Sequence, residues 1–105
     1  MSDNRPVSEQ FRLIAKEWVD LDNSARLLEE TKTAVLSQRM KALGDKPAAH
    51  AERDVKSSPE WQDFIRKMVE ARTAANMKKM QLEFIRMRFS ENQSFEATRR
   101  AESRL

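Results

Sequence analysis

One glycine and three prolines in 105 residues set the limits on what this chain can fold into. A sandwich or an α/β fold of this length needs many turns, and turns draw on Gly, Pro, Asn and Asp. With Gly44, Pro6, Pro47 and Pro59 as the main breakers, there is room for two or three long elements only. The rest is rich in Ala, Glu, Lys, Arg, Leu, Met and Gln, all strong helix formers. The length allows a single domain with a modest core.

Apolar periodicity carries the reading further. Val7, Phe11, Ile14, Trp18, Leu21, Ala25 and Leu28 recur at alternating steps of four and three. That is a heptad seam, which keeps one stripe of a helix against a partner helix. Beyond Lys32 the seam drifts to Val35, Leu36, Met40 and Leu43, a change of supercoil phase rather than an end. Ser8 is the expected N-cap and Gly44 the expected stop, because glycine takes a left-handed C-terminal cap at little cost. The spacing therefore predicts a helix over 8–43 and a turn over 44–47. Residues 48–57 are compatible with a short helix.

Ser58-Pro59-Glu60 is a compact helix start, with a capping hydroxyl, a proline in the first turn and an acid just inside. The second long helix is expected over 59–89. Its seam runs through Trp61, Phe64, Met68, Ala71, Ala75, Lys78, Leu82, Ile85 and Phe89. The polar run Ser90–Ser94 reads as a kink, and 94–104 as a weakly helical tail. Two matching seams joined by a turn predict an all-α, long antiparallel helical hairpin, coiled-coil-like and assembling into a helical bundle. A bend near residue 51 would set Trp18 level with Leu82 and Leu28 level with Thr73. Lys32 and Lys78 interrupt the seams; they are expected to snorkel at the seam edge, or else to fix the register by pairing with acids across the hairpin, for example Lys32 with Glu70.

The stretch from Met77 to Phe89 is apolar on two faces. The seam uses Leu82, Ile85 and Phe89, whereas Met77, Met80, Phe84 and Met87 form a second stripe at steps of three, four and three. A helix apolar on two sides must meet two neighbours. Either the segment 48–57 or the tail folds onto this stripe, or it is a protein interface, and methionine-rich faces suit adaptable binding. The expected partners are a second copy of the chain and another protein.

Charge points to a second class of partner. The first 45 residues carry a net −1 and the remaining 60 carry +4. The basic excess runs through Arg66, Lys67, Arg72, Lys78, Lys79, Arg86 and Arg88, with Arg99 and Arg100 in the tail. A nucleic-acid contact through these residues would be electrostatic and salt-sensitive.

Enzymatic chemistry finds little to work with. His50 is the one histidine and there is no cysteine, so disulfides and thiolate metal sites are excluded. No phosphate-cradling glycine loop, nucleophile–His–Asp arrangement or H-E-x-x-H motif is present. A non-enzymatic protein without cofactor, metal or small-molecule substrate is expected. The missing cysteines fit a reducing cytoplasm, and no apolar run of about 18 residues suits a membrane span.

A resemblance to small secreted WXG-type hairpins fails at the turn, where Gly44 has no tryptophan and Trp61 is followed by Gln62-Asp63. The second half resembles small helical accessory proteins of tailed bacteriophages and prophages. The resemblance rests on the segments 51–61 (AERDVKSSPEW), 69–76 (VEARTAAN) and 96–102 (EATRRAE). It implies a place among replication and recombination functions and transfers no catalytic residue.

Overall fold

The computed structural model describes residues 4–104. Among the described residues three helices follow one another: α1 (Val7–Ala42), α2 (Ala48–Lys56) and α3 (Pro59–Ser103). At 1.5 Å per residue α1 is about 54 Å long and α3 about 67 Å. They run antiparallel as a hairpin measuring 83 × 23 × 20 Å. The hairpin class expected from the two seams is what forms.

Helix ends follow from local chemistry, with one exception. Gly44 adopts φ +85° and closes α1 by donating its N–H to the Lys41 carbonyl at 3.1 Å. At the start of α3, Ser58 Oγ accepts from the Trp61 N–H at 3.2 Å and donates to the Val55 carbonyl at 2.6 Å. That hydroxyl caps α3 and ties it to the end of α2. The exception is Ser8, which lies inside the first turn rather than at the cap. Pro6 holds the cap position without a side-chain bond, and its carbonyl accepts from Glu9 and Gln10 at 3.0 Å each. Proline's fixed φ pre-sets the chain for the turn that follows.

The seams pack over most of their length, whereas Val7 and Phe89, the seam residues at the open end, stay exposed. Phe11, Ile14, Trp18, Leu21 and Leu28 are half-buried, and Ala25 is fully buried. On α3, Trp61, Ala75 and Leu82 are buried, with Trp61 stacked on Phe64 at 5.5 Å between ring centres. Ala25 and Ala75 both have 0% exposure, marking small residues where the backbones can approach. α2 packs across the closed end of the hairpin against both long helices and buries Ala51 and Val55. The register is displaced from the expected one: Lys78 meets Glu17, about six residues nearer the start of α1 than a bend at residue 51 would set it.

Two expectations need correction. α3 does not break at Ser90–Ser94, nor does a weakly helical tail begin there; the helix is continuous to Ser103. The polar run contains no glycine or proline, so nothing in it removes a backbone hydrogen bond or clashes with the preceding turn. The second correction concerns Lys32, which is exposed; among the described residues it forms no ion pair with Glu70. The cross-hairpin pairs belong to Lys78 and Arg72 instead.

Because Val7 lies beside Phe89, about 14 residues of α3 project past α1, roughly 21 Å of unaccompanied helix. Every described residue from Arg86 onward is exposed. Two variants test this arrangement. Ser58→Ala removes the α3 cap and lowers unfolding stability by about 1 kcal/mol in urea titration, whereas Ser57→Ala leaves it nearly unchanged. Gln93→Pro lowers circular-dichroism helicity while leaving the hairpin's unfolding midpoint in place; a falling midpoint would show that the projecting segment is packed.

Candidate protein interface on the second long helix

Met77, Met80, Phe84 and Met87 share one side of α3, and all four remain 59–65% exposed. Their mean direction lies roughly 160° round the helix from that of Ala75, Lys78, Leu82 and Ile85, which face α1. The hairpin therefore turns the stripe outward. Neither α2, which sits at the far end, nor the projecting end of α3 covers it.

The stripe is not a flat surface. Ile14 of α1 joins Met77, Met80, Gln81, Phe84 and Ile85 around a shallow, largely apolar groove between the two long helices. A second groove follows at the open end, between Val7, Ser8 and Phe11 of α1 and Ile85, Arg86 and Phe89 of α3. The Arg88 guanidinium lies over the Phe84 ring, 5.9 Å from its centre. This contact gives the ring a polar cover on one side. Two further large apolar side chains, Val69 and Phe95, are exposed on α3 outside the predicted stripe.

The basic residues are distributed differently from a strip. On a wheel of 100° per residue, Arg66, Lys67, Arg72, Lys78, Lys79, Arg86 and Arg88 wind around the whole helix. Several are engaged with acids. Arg72 donates to Asp22 Oδ1 at 2.6 Å and, through two nitrogens, to both Glu29 carboxylate oxygens at 2.7 and 2.9 Å. Lys78 meets Glu17 at 2.6 Å. Arg66 and Lys67 both pair with Asp63, while Arg86 reaches Glu83 and Arg99 reaches Glu96. Lys79, Arg88 and Arg100 are exposed.

Arg72 is the electrostatic centre of the hairpin. It bridges two acids seven residues apart on α1, two turns of one face. The bidentate fork on Glu29 is the strong geometry for a guanidinium–carboxylate pair. Hydrogen bonding from Arg72 holds the Asp22 and Glu29 carboxyls below their ordinary range, and the two acids raise Arg72 further above its own. Sequence reasoning missed this clamp. The only signal was two acids flanking the α1 seam with heptad spacing, and their partner depended on a register known only to within a turn.

His50 sits exposed on α2, and Asp54 beside it is drawn down chiefly by its bond with Lys46 at 3.0 Å. Among the described residues no group of three or more His, Asp or Glu side chains is placed to hold a metal ion. No helix of the described residues is long and apolar enough to cross a membrane. Comparison with protein families, with curated proteins and with solved structures finds no match to this chain.

The clamp has a pH signature. Asp22 and Glu29 have lower pKa values folded than unfolded, so their contribution to stability is present above the unfolded values near 4 and is lost as pH falls through the folded ones. Arg72→Met should therefore destabilise the hairpin at pH 7 and flatten the loss of stability below about pH 4. Urea midpoints measured from pH 2 to 7 check both; an unchanged acid slope would remove the clamp from the account.

Proposed function

We propose that this chain is a non-enzymatic assembly module that self-associates through the Met77/Met80/Phe84/Met87 face into a helical bundle. The observation that supports this reading is the exposure of four large apolar side chains in one stripe, beside an apolar groove that α1 leaves open. Single exposed hydrophobic residues are ordinary on protein surfaces, whereas contiguous apolar patches of this kind mark interaction sites.

The surface area agrees. A compact monomer of 12.3 kDa should expose roughly 6,100 Å², whereas this chain exposes 8454 Å². The excess is larger than the roughly 800 Å² that each partner buries in a standard interface. In energy, four side chains of this type, each a little over half exposed, offer about 10 kcal/mol to a pair of protomers. Association itself costs about 4–15 kcal/mol. The four residues alone thus support a modest dimer, and a firm one needs more contact along α3.

Nucleic-acid contact is the weaker reading, because Arg72 and Lys78 are committed to holding the hairpin closed and the remaining cations do not share a face. The resemblance of the second half to phage accessory proteins, which implies a place among replication and recombination functions, speaks for the nucleic-acid reading instead.

Phe84→Glu tests the proposal. It places a charge in the middle of the stripe, away from the α1 seam. Helicity should be retained, while the mass from light scattering on a sizing column falls from an oligomer to 12.3 kDa. A wild-type chain that stays at 12.3 kDa at high concentration, or a variant of unchanged oligomeric mass, would remove this face from the assembly.

A further inference from the structure

The exposed apolar residues of α3 are arranged symmetrically about Leu82. Met80 and Phe84 lie two residues to either side of it, Met77 and Met87 five, and Val69 and Phe95 thirteen. At 100° per residue all six fall within an arc of about 80° on one side of the helix. Val69 is 54% exposed and Phe95 66%, so the outer pair is as open as the inner ones. Phe89 is the one exposed large apolar residue of α3 without such a mate, and it belongs to the groove with Val7 and Phe11 instead.

A stripe that reads the same in both directions is self-complementary under a two-fold axis perpendicular to the helix, the symmetry of an isologous dimer. We infer that two copies of this chain pack α3 against α3 antiparallel, with the two-fold axis passing at the level of Leu82. This inference rests on the self-association reading and adds direction and register to it. Met80 then faces Phe84 of the partner subunit, Met77 faces Met87 of the partner subunit, and Val69 faces Phe95 of the partner subunit.

Polar residues in and beside the stripe choose between antiparallel and parallel packing. Thr73 and Glu91 lie in the middle of the arc, nine residues to either side of Leu82. Parallel packing in register would set Glu91 against its own copy, two carboxylates face to face, which is costly in a contact that excludes water. Antiparallel packing sets each Glu91 opposite Thr73 of the partner subunit, a hydroxyl that can donate to it. The helix dipoles also oppose. The arrangement further gives the projecting end of α3 a neighbour, since Phe95 comes to rest on the partner's Val69.

The chain has no cysteine, so cross-linking can report the register directly. Val69→Cys and Phe95→Cys are prepared as separate variants, unfolded together, refolded and oxidised. The mixture should yield covalent dimers, because the two thiols face each other. Phe95→Cys alone should yield none, because its two copies lie about 39 Å apart along the bundle, far beyond disulfide reach. A second pair, Met77→Cys mixed with Met87→Cys, guards against a local disturbance at the helix end. Efficient cross-linking of Phe95→Cys with itself would overturn the antiparallel direction. A dimeric mass without cross-linking in either mixture would overturn the register and leave self-association standing. A mass of 12.3 kDa throughout would remove both.

Discussion

Two helices lying side by side can shield only one stripe of each from water, and everything about this molecule is conditioned by that geometry. The α1–α3 seam uses the stripe on each helix that the heptad spacing provides. Even so, among the described residues only Ala25, Trp61, Ala75 and Leu82 on this pair of helices, with Ala51 and Val55 on α2, are buried. Three of the six are alanines, which bring backbones close but remove little area from water. Most of the larger seam residues, such as Ile14, Trp18 and Leu28, stay partly wetted at the edges. Three ion pairs between the long helices, Arg72 with Asp22 and Glu29 and Lys78 with Glu17, add to this seam. The Arg72 fork, anchored to acids on α1 and shielded to 31% exposure, is the best placed of them. Surface pairs of ordinary geometry contribute little; a bidentate one that also spans two acids fixes the register of two long helices.

The same geometry separates two uses of apolar surface. Residues on the seam are spent on folding. Residues on the opposite side of α3 stay more than half exposed in the isolated hairpin, so their presence needs another reason. In the antiparallel dimer inferred above, the symmetric placement of those residues about Leu82, with the one central acid matched to a threonine, would supply that reason.

Much of the fold was legible in the sequence because it depends on periodicity and punctuation, both local properties. Alternating steps of three and four identified both long helices and the faces they share. Gly44 and Ser58-Pro59 marked their ends, and the outward stripe was visible as a second set of steps. Three features were not legible, for different physical reasons. Helix continuity through Ser90–Ser94 follows from the absence of a breaker, whereas modest propensity residues suggested an interruption. The Arg72 clamp depends on relative register, which one chain's spacing fixes only to about a turn. Val69 and Phe95 stand alone in polar surroundings, so only the wheel and their exposure join them to the stripe.

The corner at the closed end has a consequence for how the chain folds. There α2 covers the turn, Ser58 links α2 to α3, and Ala51, Val55 and Trp61 are buried within eleven residues of one another. Contacts further along the hairpin join residues ever more distant in sequence, up to Val7 beside Phe89. Closing such loops from an open chain is entropically slow, yet each turn added next to an existing contact closes only a short segment. Assembly is thus expected to run as a zipper from the corner outward, and the open end is the last part to form and the first to release.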